Sequence, residues 1–191
     1  MTRDLETVTF ESAEDFEAWL AENHAVSAGI WLRLRKKEAG VAALDYGQAL
    51  DVALCFGWID SQKAAYDERW WLQRFTPRTA RSTWSKVNRD KVAALTAQGR
   101  MRAAGQAEVD RARADGRWEA AYDGSRTAVV PDDLAAALAA EPKAAAFFET
   151  LDRQNRYAVL YRVQEAKRAE TRARRIEKYV GMLARGEKVH P

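Results

Sequence analysis

The chain has 191 residues, 47% of them hydrophobic and 31% charged, which is the composition of a folded globular protein rather than a disordered one. No apolar run approaches the eighteen residues that a membrane helix requires, and residues 1–6 are charged, so we expect neither a membrane span nor a secretion signal. The single cysteine, Cys55, cannot form an intrachain disulfide, which is typical of a reducing compartment. We therefore expect a cytoplasmic protein.

Charge is distributed unevenly along the chain, although the formal net charge is only +3. Residues 1–68 hold 6 Lys or Arg and 13 Asp or Glu, whereas residues 69–102 hold 9 and 1. The last segment, 151–191, is basic again, with 11 and 5. Two basic segments in an otherwise acidic chain indicate either an anionic partner or ion pairing between segments of the same chain.

The first predicted elements are a short helix and a strand. Ser12 followed by two acidic residues is typical of a helix start, and the apolar spacing that follows predicts a helix over residues 13–23. Residues 30–35 then alternate with period two, which predicts a strand. The residues on its polar face are Trp31, Arg33 and Arg35.

A second helix and a hairpin follow. Asp45 and Gln48 have the spacing of a capping box, which predicts a helix that ends at Gly57. Two stretches rich in β-forming residues, Ile59–Tyr66 and Arg69–Phe75, are separated by two acidic residues. This pattern predicts an antiparallel hairpin.

From Ser85 onward the apolar spacing is helical. Pro131 and Pro142 stand where prolines open helices, and the apolar stripe from Tyr157 to Leu183 predicts one long final helix. The predicted fold class is α+β, with a small antiparallel sheet and flanking helices in the N-terminal part and an all-helical C-terminal part that ends in a long amphipathic helix. We expect an α+β domain over residues 1–122 and a C-terminal helical module over residues 131–187, packed on the first domain.

The segment from Arg74 to Arg89 combines arginines with hydroxyl side chains ahead of a predicted helix. A helix start offers unpaired N–H groups, and arginines add bidentate donors, so this order of residues suits a phosphate or a carboxylate. It is not a Walker loop, because the glycine-rich cradle is missing. The alternative is a loop held by Ser and Thr caps, with arginines paired to the acidic N-terminal third. The candidate ligand-binding residues are Asp60, Arg74, Arg78, Ser82, Trp84, Ser85 and Asn88.

Six segments together carry a family resemblance: Ala53–Ser61, Arg74–Arg78, Ser82–Asn88, Gly99–Met101, Gly116–Trp118 and Ala166–Ile176. In combination they resemble the bacterial YdeI/OmpD-associated family, from about Phe10 to Gly186. The family's name implies a role in bacteriocin protection and a link to the periplasm or outer membrane. Because the N-terminus shows no secretion signal, we keep the expectation of a cytoplasmic protein.

The residues that usually carry catalysis are few. Asp60 follows an apolar helix end, where its carboxylate could act as a base or could orient one of the arginines. Cys55 has the helical spacing of a core residue, so we expect a buried thiol rather than a nucleophile. A Ser-His or Cys-His mechanism would depend on His24, since His190 is next to the terminus. We expect no metal site and no cofactor.

An arginine stripe occupies one face of the predicted final helix at Arg168, Arg172 and Arg175. Such a stripe can follow nucleic-acid phosphates, but interleaved glutamates favour a solvated or domain-docking face. The sequence thus favours a small-anion-binding protein, with a possible role under stress. The alternatives are a nucleic-acid-binding module that uses both basic segments, and an enzyme that acts on an anionic small molecule.

Overall fold

Four strands and eight helices form the described part of the chain, residues 5–36 and 44–191, in the computed structural model. The strands are β1 (Thr7–Val8), β2 (Ile30–Arg35), β3 (Trp58–Ala65) and β4 (Trp70–Pro77). The helices are α1 (Ala13–Asn23), α2 (Tyr46–Cys55), α3 (Lys86–Ala97), α4 (Ala103–Ala114), α5 (Asp132–Ala139), α6 (Pro142–Glu149), α7 (Arg153–Glu165) and α8 (Ala169–Ala184). The predicted α+β class is confirmed.

The chain divides into two compact units. The first comprises Met1–Trp84 and Asn88–Ala120, and the second comprises Ser85–Val87 and Ala121–Pro191. The first unit contains the sheet and the second is helical.

The sheet has the strand order β1-β2-β4-β3. β4 pairs antiparallel with both β2 and β3, so the predicted hairpin forms and the predicted strand over residues 30–35 lies beside it. β1 is an addition that the sequence did not predict, and it pairs parallel with β2 at one edge. Two residues are too few to show an alternating pattern, so its pairing depends on the strand next to it.

One face of the sheet is covered by α1 and α2, where the core of the first unit lies. Phe16, with no exposed surface, packs edge-on against Phe75, at 5.9 Å between ring centroids. Trp19 packs in the same way against Trp58 at 5.8 Å. α2 starts at the predicted capping box, Asp45 with Gln48, and α1 starts at the predicted N-cap Ser12, where Asp15 completes a second capping box. Local capping and apolar spacing therefore determine where these helices begin.

The C-terminal end of α2 lies directly against α4. At Gly105 an added Cβ would overlap the carbonyl oxygen of Cys55 and would lie 2.8 Å from that of Leu54. Gly57, which has a φ of +74°, faces the same helix and approaches the carbonyl of Ala104. Cys55 itself is buried, as expected, and burial raises the pKa of its thiol.

Part of the predicted internal charge pairing is present in the first unit. Arg102 pairs with Glu17 at 2.5 Å and Lys91 with Asp51 at 2.6 Å. Both pairs join the basic segment 69–102 to the acidic N-terminal third. Ion pairing between segments of the same chain therefore accounts for these two cations.

The second unit has its own apolar core, to which α5, α6, α7 and α8 all contribute. Its most buried side chains include Leu134, Phe148, Val159 and Leu183, each with at most 1% of its surface exposed. The predicted helix starts at Pro131 and Pro142 are found, since Pro131 caps α5 and Pro142 opens α6.

The predicted single helix from Tyr157 to Leu183 is divided into α7 and α8, so its continuity is a wrong prediction. Ala166 has extended backbone, with ψ 104°, and ends α7. The exposed carbonyls of that end are satisfied by side chains of α8: Arg172 donates to the carbonyl of Val163 at 2.9 Å, and Arg175 to that of Arg162 at 2.5 Å. Two residues of the arginine stripe therefore cap a helix C-terminus. Because this capping depends on a tertiary contact between α7 and α8, no pattern in the sequence around Ala166 predicts it.

Arg172 also holds Asp133 through two hydrogen bonds, of 2.5 and 2.8 Å. The bond from Arg172 lowers the pKa of the Asp133 carboxyl, so its stabilising effect is present above the unfolded-state pKa of about 3.9 and is lost as pH falls through the folded-state pKa. The pair is partly exposed, and we expect Asp133→Asn to lower the free energy of unfolding by about 0.5–1 kcal/mol at pH 7. Urea denaturation at pH 7 and below pH 3 measures this, and the difference from wild type should shrink in acid.

Asp132→Asn is the matched control, because Asp132 lies in the same first turn of α5. Both variants remove one carboxylate near the helix start, but only Asp133 is bonded to Arg172. Equal losses in the two variants, or a loss at Asp133 that persists in acid, would contradict the assignment.

Candidate functional site

The second face of the sheet is the candidate site, and we call it the open face. In the β2–β4 register Trp31 lies opposite Arg74, Arg33 opposite Leu72, and Arg35 opposite Trp70. Since side chains alternate along a strand, these six lie on the same side, away from Phe75 and the covering helices. None of the six is buried, and all are partly exposed.

Arg33, the middle of the three β2 side chains on the open face, is held among aromatic rings. Its Nε donates to Thr9 Oγ1 at 2.8 Å, and its guanidinium lies 5.0 Å from the ring centroid of Trp70 and 5.6 Å from that of Tyr66. Tyr66 is 50% exposed. A guanidinium at this distance from a ring is attracted by its π-face and also limits how the ring can rotate.

Arg74 lies at the centre of the sheet. One of its terminal nitrogens donates to Gln62 Oε1 at 3.3 Å. The Nε atoms of Arg74 and Arg35 are shielded from solvent and have no hydrogen-bond partner among the described residues. Within the same residues, neither arginine nor Arg33 forms an ion pair.

Asp60 lies on the other face. It pairs with Phe75, and its carboxylate accepts a hydrogen bond of 2.8 Å from the hydroxyl of Tyr46 at the start of α2. A β-bulge between Asp60 and Lys63 adds one residue to β3, so both point to the helix-covered side. The structure therefore does not bring Asp60 and Arg74 together.

A cavity of about 510 Å³ lies at the end of these strands, beside the start of α2. Within it, the Lys63 ammonium lies 4.4 Å from the ring centroid of Trp71, which in turn lies 5.9 Å from Tyr46. The lining residues are Arg35, Lys36, Asp45, Tyr46, Gly47, Lys63 and Trp71.

Arg78 is buried, with 5% of its surface exposed, in the loop that follows β4. Its guanidinium lies 3.5 Å from the ring centroid of Trp84, and one terminal nitrogen donates to the carbonyl of Thr83 at 3.1 Å. Trp84 is 2% exposed and packs edge-on against Trp118 at 4.9 Å. These contacts close the loop from Arg78 to Trp84 on itself.

Ser82 is hydrogen-bonded within the loop, and Asn88 is buried in the helix that follows it. Ser82 Oγ accepts from the amide of Thr79 at 2.9 Å, and the Ser82 carbonyl accepts from Arg117 at 2.8 Å. Asn88 is buried in α3, with 8% of its surface exposed. The loop is thus tied down by Ser and Thr, as in the alternative that the sequence left open.

Ser85 belongs to the second unit, where it forms an isolated parallel bridge with Tyr122. In that unit the first amide of α3, from Lys86, donates to the carbonyl of Tyr122 at 2.8 Å, and the Lys86 ammonium pairs with Asp123 at 2.6 Å. One of the N–H groups expected to bind an anion therefore has a backbone partner.

Of the seven candidate residues, Arg74 lies on the open face and the others do not. The alternation along β2 did show that Trp31, Arg33 and Arg35 share a face. The signal that sequence reasoning lacked was the pairing of β2 with β4, which places Arg74 among them.

Membrane-spanning helices and metal-binding clusters are two other features by which a chain can show its function. Over residues 5–36 and 44–191, none of the helices is long and apolar enough to cross a membrane. Over the same ranges, His, Cys, Asp and Glu side chains form no group of three or more that could hold a metal ion.

Comparison with known proteins gives two matches. Residues 8–108 match the family described as a domain of unknown function, DUF8412. Residues 127–186 match the family described as "Bacteriocin-protection, YdeI or OmpD-Associated", which confirms the resemblance seen in the sequence. The motifs between Ala53 and Asn88 lie in the first matched segment. Neither a curated protein nor a solved structure matches the chain.

Proposed function

Because the chain belongs to the DUF8412 family through residues 8–108 and carries a YdeI/OmpD-associated module over residues 127–186, we propose that it binds a small anionic ligand on the open face of its sheet. One observation carries the proposal. Arg33, Arg35 and Arg74 lie together on a partly exposed face and form no ion pair within the described residues. Like charges placed this close favour an anion between them.

The Nε atoms of Arg35 and Arg74, which have no hydrogen-bond acceptor among the described residues, support the same proposal. A donor that is shielded from water without an acceptor costs about 1–3 kcal/mol, and the Nε atoms of Arg35 and Arg74 are in this position among the described residues. A rotation of the arginine side chain would bring these donors to a phosphate or carboxylate oxygen, which would supply the missing acceptor and form a charge-assisted bond. The free protein would then be relieved of that cost on binding.

The remaining candidate residues have a supporting role in this proposal. Arg78, Ser82 and Trp84 hold the loop that continues from β4, and Asp60 fixes the opposite side of the sheet through Tyr46. They would position the strand that carries Arg74 without touching the ligand.

Calorimetric titration with pyrophosphate tests the proposal. Loss of one charge-assisted contact of about 1.5–3 kcal/mol predicts that Arg74→Gln weakens binding about tenfold or more. Arg74→Lys should restore only part of the affinity, because an ammonium cannot make the planar fork of a guanidinium.

Lys63→Gln is the matched control. It removes one positive charge from the neighbouring strand, but Lys63 lies on the helix-covered side. We expect its affinity to stay within about twofold of wild type, because its ammonium lies 4.4 Å from the ring centroid of Trp71 on the covered side and not on the open face. An equal loss in Lys63→Gln and Arg74→Gln, or no binding to the wild type, would reject the open face as the site.

We also propose that the protein is cytoplasmic. We propose for it a role in bacteriocin protection, which the description of the family matched by residues 127–186 names. The single thiol of Cys55 is unpaired and buried, which fits a reducing compartment. Fractionation of cells that express a C-terminally tagged protein tests the location.

A further inference from the structure

The open face carries aromatic rings at regular positions. Trp31 lies opposite Arg74 and Trp70 lies opposite Arg35, so the two tryptophans are four residues apart along the β2–β4 ladder. At 3.3 Å per residue this is roughly 13 Å. Tyr66, half-exposed, adds a third ring beside Trp70, since both rings approach the same guanidinium of Arg33.

Arginines alternate with these rings. Each tryptophan faces an arginine across the strand pair, so aromatic and cationic groups form a checkerboard on β2 and β4. Leu72 provides an apolar contact between them, opposite Arg33. A flat ring next to a guanidinium suits a ligand that repeats the same combination, an aromatic base next to a phosphate.

Negative charge is absent from the described strand positions on this face. Asp60 points to the other side, and the acids nearest to β4 along the chain, Asp67 and Glu68, lie in the turn between β3 and β4. Glu6 directly precedes β1, where its carbonyl accepts from the amide of Trp31 at 2.8 Å. The Asp67 carboxylate accepts from the amides of Arg69 and Trp70, both at 2.8 Å. A polyanion that lies along β2 and β4 would therefore meet cations without a repelling carboxylate between them.

From this arrangement, which rests on the proposed binding of anions by the open face, we infer that the same face also binds a single-stranded nucleic acid. Bases stack on Trp31 and Trp70, and the phosphates between them bind Arg35 and Arg74. Arg33 keeps the ring of Trp70 in place. Base stacking on an aromatic side chain contributes about 1–3 kcal/mol per base and tolerates any base.

The geometry separates this ligand from a duplex. In a duplex the base faces are stacked on each other and only their edges reach the grooves, so rings on a flat sheet cannot contact them. Unstacked bases of a single strand can be splayed onto such rings. An acidic peptide would use the arginines but has no repeating flat ring for the tryptophans.

Fluorescence anisotropy with a labelled oligothymidylate tests the inference. Trp31→Leu and Trp70→Leu should each weaken binding by about 5- to 150-fold, which corresponds to the stacking energy of one base, whereas Trp70→Tyr should retain most of the affinity. Pyrophosphate affinity should change by less than about twofold in these variants, because pyrophosphate has no ring to stack.

Trp19→Leu is the matched control. Trp19 lies on α1, and its ring packs against Trp58 on the helix-covered side of the sheet, so this variant should bind both probes like the wild type. Thermal melts of all variants identify any that fail to fold. If a leucine variant fails to fold, Trp70→Tyr still tests the inference.

The outcomes distinguish the two proposals. If pyrophosphate binds and Arg74→Gln weakens it, but the oligonucleotide binds no more tightly than polyphosphate of equal charge, the small-anion function stands and the inference fails. Tighter binding of a duplex, or of an acidic peptide, than of the single strand also overturns the inference. If neither pyrophosphate nor the oligonucleotide binds, both proposals fall.

Discussion

The Trp84→Ala protein should lose about 3–5 kcal/mol of its free energy of unfolding and should bind pyrophosphate as the wild type does once it is folded. Trp84 is 2% exposed, and its ring packs against Trp118 and beneath the guanidinium of Arg78. Alanine would leave a cavity and would remove the aromatic face on which a buried cation rests. This loss is a large share of the 5–15 kcal/mol that stabilises a typical domain.

Urea denaturation followed by circular dichroism measures the loss, and calorimetry below the melting temperature measures the affinity. Trp84→Phe is the second variant, because it keeps a ring against Trp118 and should cost less. From the sequence alone, Trp84 was one of the candidate ligand-binding residues. A Trp84→Ala protein with unchanged stability and weakened anion binding would support that interpretation against the one drawn from the structure.

The Gly105→Ala protein should be less stable by about 1–2 kcal/mol. A Cβ at this position would overlap the carbonyl oxygen of Cys55, and its three nearest neighbours are backbone atoms of Leu54 and Cys55, so no flexible side chain can move aside. Such overpacking typically costs 1–3 kcal/mol and outweighs the gain of up to about 1 kcal/mol that alanine brings over glycine within a helix.

Gly181→Ala in α8 is the matched control for helix propensity. Its Cβ would lie 3.6 Å from a terminal nitrogen of Arg185, which is ordinary contact with a flexible side chain. We expect this variant to be as stable as the wild type or up to about 1 kcal/mol more stable. Chemical denaturation measures the free energy of unfolding of both variants. A stabilised Gly105→Ala protein would show that α2 and α4 do not approach as closely as described.

Most of the elements could be predicted from the sequence because their signals are local. The N-cap at Ser12, the capping box at Asp45 and the apolar spacing after them are contained within a few residues. The same holds for the alternation over residues 30–35 and for the hairpin with its acidic turn. Each of these signals is read within one turn of helix or one strand.

Two features of the fold could not be predicted in this way. β1 is only two residues long and forms because the edge of β2 offers it backbone partners. The end of α7 is set by Arg172 and Arg175, which are six and nine residues beyond the break at Ala166 and reach back to its last carbonyls. In both places the deciding partner lies in another element, β2 for β1 and α8 for α7, so the pattern within the element itself does not show it.

The same distinction applies to the candidate site. The sequence by itself determined that Trp31, Arg33 and Arg35 share one face of a strand, since side chains alternate with period two. Only the tertiary structure decided that Arg74 lies opposite Trp31, and that the bulge after Asp60 turns this carboxylate to the helix side. Strand register depends on the pairing of distant segments, and a shift of one residue moves every side chain to the opposite face.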